Sequence, residues 1–297
     1  MSSQIVKQEL VIKSKRLTTF KGSVLMNVSI PLRSGPNEMR LYYMIGAFLT
    51  WDQSIFTYSQ GMGKPTEVPT PIFLIDHPEG KVLFETGLHR NVAVDAEGHW
   101  GWRARDWKPR MTSDQAVECQ LDKLGVSPDD IRYVVLSCLL PDHAGGMRAF
   151  PNATFIVQFR ELQDAWWPDR RVLDAYHFED IKPTRDFKFW ELHDEDLDIY
   201  GDGSIEVLFT PHHTRGEQTM IVRLPNTGTI VLPAGVISWA ANLEQWVMTG
   251  TPAVAPTVAY ASMDRLKHVI DRENAMIIHD HDPEQWKTLR KAPEFYD

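Results

Sequence analysis

Apolar residues in this chain come in short runs, and several of those runs stop at a dense polar cluster. IRYVVLS runs into CLLPDHAGG, IEVLFT into PHHTRGEQT, and AMII into HDHDPEQW. Runs of this length are strand length, and the stretches between them carry helical patterns. The order is strands, then helix–strand–helix, then strands, then helix, strand and a closing helix. That succession fits an α/β domain with helices outside a central pair of sheets. No window of about 18 apolar residues occurs, so no membrane-spanning helix is expected.

In more detail, 41–51 reads as a strand. The stretch 72–84 reads as two strands around Pro78, Glu79 and Gly80. Residues 113–124 read as a helix with Thr112 or Ser113 as N-cap and Gly125 past its end. A helix begins at Arg160 and ends before Pro168. The segment 169–190 reads as irregular, 263–272 as a helix, and 283–290 as a closing helix. Residues 1–38 are rich in Lys and Arg and read as an arm ahead of a domain spanning 39–297. The long loop 89–111 holds Trp100, Trp102 and Trp107.

Composition narrows the function classes. Apolar residues make up 43% of the 297, enough for a sizeable core. The formal charge of −9 argues against a nucleic-acid partner. Two cysteines, Cys119 and Cys138, exclude a disulfide scaffold and favour a reducing compartment. The N-terminal stretch lacks an apolar core of the signal-peptide kind, so a cytoplasmic location is expected. Histidine numbers 11, and it is the commonest metal ligand and proton-transfer group.

The polar clusters carry the chemistry. Asp142 and His143 follow a buried strand and stand beside two glycines, which permit a sharp bend. His212 and His213 follow Pro211. His279 and His281 alternate with Asp280 and Asp282, and in a strand such i, i+2 residues share a face. Each cluster alone also suits a solvated loop. Several of them at successive strand ends point to a metal site.

The chain resembles the metallo-β-lactamase superfamily, and within it the branch near the N-acyl homoserine lactonases, from about Leu41 to Trp286. The early hairpin FLIDHPEGKVLFETGL is similar to the family's hairpin ending in D-T-G, with Glu85 at the Asp position. The resemblance implies an αββα sandwich with a metal site at the rim of its sheets. The family's H-x-H-x-D-H motif falls on 138–143. Asp142 and His143 match, whereas Cys138 and Leu140 replace the first two histidines. The T-P-G-H motif falls on 210–213, with His213 matching and His212 in place of glycine. The bridging Asp falls on Val236 and the tyrosine after it on Trp239, while the late G-H-D falls on Asp280, His281 and Asp282.

The resemblance therefore implies one Zn2+ per chain, held by Asp142, His143 and His281, with Asn242 an additional candidate ligand. A zinc with three protein ligands and an open position activates water. Asp142 and His213 are then the catalytic candidates, His213 as base. Asp280 and Asp282 are expected to orient His281. Cys138, Leu140, His212 and Trp239 are expected to line the substrate pocket, with Trp100 or Trp102 adding aromatic walls. This site pattern is similar to hydrolytic chlorothalonil dehalogenases and dinitroanisole O-demethylases. The first expectation is thus displacement of halide or alkoxide from an electron-poor aromatic ring. Hydrolysis of a lactone or ester is the second. The third is a non-catalytic subunit supporting an active paralogue. A small-molecule substrate and a homo-oligomer, or a hetero-oligomer with a paralogous subunit, complete the expectations.

Overall fold

The structure, a computed structural model, describes residues 35–170, 172–250 and 254–297. The expected arm, 1–38, falls almost wholly outside the described residues. Two sheets form the centre. In the first, β1 (Arg40–Asp52), β2 (Pro65–Asp76), β3 (Lys81–Phe84), β4 (Ile131–Val135), β5 (Thr154–Gln158) and β6 (Lys188–Leu192) lie in that order. In the second the order is β11 (Met276–Ile277), β10 (Gly228–Leu232), β9 (Gln218–Leu224), β8 (Ile205–Phe209) and β7 (Leu197–Asp198).

Alternation along the strands builds three layers of core. Val82 and Phe84 of β3 meet Met220, Val222, Ile230 and Leu232 of the second sheet, forming the layer between the sheets. Leu83, from the opposite face of β3, packs with Val117 and Leu121 of a helix outside the first sheet. Ile221 and Val231, the opposite faces of β9 and β10, pack with Met263 and Leu266 outside the second sheet. Side chains that alternate in direction along apolar strands thus build an αββα sandwich. Each fully buried aliphatic side chain in these layers contributes roughly 1.5–3 kcal/mol.

The helices are α1 (Ala96–Trp100), α2 (Trp102–Trp107), α3 (Val117–Lys123), α4 (Pro141–Ala144), α5 (Phe159–Trp166), α6 (Phe178–Ile181), α7 (Ala240–Glu244) and α8 (Pro256–Glu273). Several boundaries differ from the sequence reading. The helix expected at 113–124 is a 3-10 turn at Ser113–Gln115, capped by Thr112 and Gln115, followed by α3. α8 starts at Pro256, a residue well suited to the first helical position, and not at 263. The segment read as irregular contains α6 and the start of β6. The closing helix is one 3-10 turn, Gln285–Lys287. The last strand stops at Ile277, so His279 and His281 lie beyond it, and the same-face argument for them fails.

Topology explains why the polar clusters converge. β9 is antiparallel to both β8 and β10, and β11 is parallel to β10. The C-terminal ends of β8, β10 and β11 therefore share one edge. Gln218 links the sheets behind that edge, donating from its amide to Leu136 O and Ile156 O at 2.8 and 3.0 Å. Glu85 and Gly87 form the turn that holds α4. Thr86 donates to His143 O through its backbone N and its hydroxyl, and Gly146 N donates to Gly87 O. Gly87 has φ +64°, and a Cβ there would meet Ile72 Cδ1 at 2.9 Å. Glu85 adopts φ +65° without being glycine. Such a conformation costs about 1–2 kcal/mol and concentrates at functional sites.

Candidate active site

Asp142, His143 and His281 each offer one donor atom, and the three atoms lie within 4.8 Å of one another. All three residues are buried, at 3–5% exposure. Asp142 Oδ2 stands 3.3 Å from His143 Nε2 and 3.5 Å from His281 Nε2. The other ring nitrogens are held from behind. His281 Nδ1 donates to Pro69 O at 2.8 Å. His143 Nδ1 faces Glu85 Oε2 and Ser137 Oγ, each at 3.4 Å. Both imidazoles thus present Nε2 to the same point, as metal-ligating histidines do.

The electrostatics suit a cation. Burial opposes charge on His143, but Asp142, Cys138 and Glu85 outweigh it and raise its pKa well above the usual value. His281 is raised in the same way, against burial, by Asp280 and Asp142. Burial also works against the Asp142 carboxylate, yet His143 and His281 hold its pKa far below the usual range. Carboxylates and imidazoles facing one another in this way favour positive charge between them, which a bound cation would supply.

Asp280 adds to the donor set. It is 4% exposed and lines the cavity, and its Oδ2 lies 3.4 Å from His281 Nε2. Neither of its oxygens has a hydrogen-bond partner. A buried carboxylate is costly without hydrogen bonds or a cation. The expectation that Asp280 orients His281 is corrected, because Pro69 O does that and Asp280 stands on the donor side of the ring. Two imidazoles and one carboxylate within reach of one point, with a second carboxylate beside His281, fit a divalent cation such as zinc.

The remaining predicted residues divide. His213 lines the cavity. Its pKa is lowered by burial first and also by His143 and His281, against Asp142, which favours a neutral imidazole. His212 does not line the cavity. It is fully buried, contacts Thr249 Oγ1 at 3.2 Å, and is pushed down to about 3 by burial and by His213. Asn242 is not a ligand. Its Oδ1 accepts from Trp239 N, and its Nδ2 donates to Phe56 O and Val247 O. Asp282 does not orient His281. It accepts from Ala240 N, Glu284 N and Gln285 N and so fixes the turns around it. His279 Nδ1 bonds Ile237 O, which keeps it structural.

A cavity of about 550 Å³ opens onto the cluster. Leu140 lines it as expected, but Cys138 belongs to the core outside the first sheet, where burial pushes its thiol up. Trp239 lies behind the wall, stacked on the cavity residue Phe56 with ring centroids 5.0 Å apart. The aromatic walls are Trp51, Phe56 and Trp107. Trp100 is buried behind Trp107, and Trp102 is 40% exposed. Tyr176 and Arg215 also reach the cavity. Tyr176 donates to Glu161, and Arg215 is gripped by Asp164 through two bonds. Nothing local in the sequence marks Trp51, Phe56, Tyr176 or Arg215, since distant loops bring them together. Glu85 was legible as the hairpin's terminal acid, but its place behind His143 was not.

Comparison with known proteins agrees with this geometry. The metallo-β-lactamase superfamily profile matches residues 65–232. The N-acyl homoserine lactonase AttM of Azorhizobium caulinodans is 36% identical over 264 residues, covering 88% of this chain and 99% of the relative. The N-acyl homoserine lactonase AiiA of Bacillus thuringiensis subsp. kurstaki is 30% identical, covering 86% and 98%. Among solved structures, an N-acyl homoserine lactone hydrolase with N-hexanoyl-L-homoserine bound at its catalytic metal centre superposes with a TM-score of 0.77. It is 27% identical and covers 89% of this chain and all of that one. The strand order, the buried Asp–His cluster at the sheet edge and near-full-length similarity lead to one conclusion: this chain is a hydrolase belonging to the metallo-β-lactamase superfamily.

Proposed function

We propose that this chain hydrolyses lactones of the N-acyl homoserine class with a single divalent cation, zinc, held by Asp142, His143 and His281 and reached by Asp280. The observation that carries the reading is the buried donor cluster opening onto the cavity. The cavity volume is within the range of small-molecule sites. The full-length lactonase relatives support the lactone reading ahead of aromatic displacement. Cys138 and Leu140, where two ligands would stand, are both apolar in environment. Among the described residues, the cavity holds no second group of three clustered His, Cys, Asp or Glu donors, which supports one cation rather than two.

A cation held there supplies Lewis-acid polarisation and a lowered pKa for water. The chain's own residues do the rest. Trp51, Ile55, Phe56, Val172 and Ala175 offer an apolar wall to an acyl chain. His213, a neutral imidazole at the wall, accepts the proton of the attacking water. It returns that proton to the ring oxygen as the C–O bond breaks. Glu85 and Pro69 hold the two ligand imidazoles in orientation. Water adds to the lactone carbonyl and the product is the open-chain hydroxy acid.

The test is an acid-release assay on zinc-loaded protein with N-hexanoyl homoserine lactone beside a panel of halonitro- and nitroalkoxy-aromatics. Lactone turnover that disappears in His143→Ala and after chelation is expected. Turnover of the aromatics with none of the lactone would overturn the reading.

A further inference from the structure

A second group of donors lies away from the cavity. His89 precedes a 3-10 turn at Arg90–Ala93, His99 is on α1, and Asp180 is on α6. Their ligand atoms lie within 4.8 Å of one another. His99 Nε2 is 2.8 Å from Asp180 Oδ1, across 81 residues of sequence. Asp180 is 3% exposed, and its Oδ2 has no hydrogen-bond partner. The His89 and His99 rings stack with centroids 4.2 Å apart. A third imidazole, His177, stands T-shaped to His99 at 5.1 Å, with its Nε2 buried and without a hydrogen-bond partner.

We propose that His89, His99 and Asp180 form a second cation site, separate from the catalytic cluster and selective for a divalent transition metal of the zinc type. Two imidazoles and one carboxylate suit zinc, cobalt or nickel, whereas calcium and magnesium prefer all-oxygen sets. An unpaired carboxylate oxygen in the interior is what a bound cation would satisfy. His89 is half-buried and borders a second cavity of about 430 Å³ with Arg90, Glu118 and Arg148. Its Nδ1 accepts from Asn91 N at 3.1 Å.

The consequence is mechanical. His89 and His99 precede Trp107 on one segment, and Asp180 follows the segment with Val172, Ala175 and Tyr176. Both segments wall the catalytic cavity. Arg103 already ties them, donating to Asp174 O and Tyr176 O. A cation at this junction fastens the two walls a second time.

The test is zinc content by elemental analysis after equilibrium dialysis, with melting temperature read in parallel. Wild-type protein is compared with His89→Ala, Asp180→Asn and His281→Ala. His89 is half-buried and outside the core clusters, and the melting temperature of each variant without zinc reports whether its fold is kept. One zinc fewer in His89→Ala and in Asp180→Asn than in wild type, with a smaller zinc-induced rise in melting temperature, is expected. His281→Ala should keep the zinc that His89→Ala loses. If the catalytic reading fails but this one holds, wild type binds one zinc and His89→Ala none. Zinc content unchanged from wild type in both His89→Ala and Asp180→Asn would overturn the proposal.

Discussion

Two buried polar regions of this molecule are built on opposite terms. On the second sheet, Arg223 donates to Glu273 at 2.8 and 2.9 Å, to Glu206 at 2.8 Å and to Gly203 O at 2.7 Å. Glu273 also accepts from Thr229 and Arg272. That network closes on itself. At the cavity, Asp280 has no hydrogen bond on either oxygen, and behind the wall Glu161 and Glu217 each leave one oxygen without a hydrogen bond. Buried polar groups normally find partners, so a concentration of unsatisfied ones marks a place organised for something from outside. The closed network satisfies its own charges, whereas the open one leaves charge that the proposed cation would satisfy.

This contrast predicts different consequences for substitutions in the two regions. Replacing His213 with Ala should lower kcat for lactone by about 10²–10⁴-fold while zinc content stays unchanged, the signature of a proton-transfer group. Loss of zinc would move His213 into the ligand set. Replacing Glu273 with Ala leaves Arg223 partly uncompensated and should cost about 3–5 kcal/mol by denaturant unfolding, without changing zinc content. Burial opposes the Glu273 carboxylate, but Arg223 and Arg272 hold its pKa down to about 2. An unfolded glutamate titrates near 4.3. Its stabilisation is therefore complete above about 4.3 and lost as pH falls through that value to about 2. The acid side of the stability curve should flatten in the variant.

Smaller effects sharpen the comparison further. Asp280→Asn should weaken zinc binding by about 10–100-fold, a change of the size seen when groups around a metal are altered. Its melting temperature without metal should change little, because the carboxylate is buried without hydrogen bonds while its ion pair with His281 is lost. Asn242→Ala should do the reverse, costing about 0.5–2 kcal/mol through the lost cap and leaving zinc affinity as it was.

Much of the sandwich was legible because the central strands are short apolar runs that stop at turn residues or polar clusters. The faces were not, since Val82, Leu83 and Phe84 are all apolar and only the fold divides them between two core layers. Asp142, His143 and His281 were legible from strand-end placement and from the family motif. The roles of Asn242, Asp282 and Asp280 were not. Each depends on which backbone groups face the side chain after folding, and Asn242 meets Phe56 from 186 residues away. The last strand misled for a related reason. MIIHDHD has the pattern of an extended segment, but pairing with β10 ends at Ile277, so the histidines take their directions from Ile237 O and Pro69 O.

The central claim is that the cluster of Asp142, His143 and His281 is a cation centre. The most direct measurement is an anomalous difference map at the zinc edge from crystals of zinc-loaded protein. The account predicts a peak within ligand distance of Asp142, His143 and His281, with Asp280 turned toward it. A map with no peak between those side chains, from protein that hydrolyses the lactone, would contradict it.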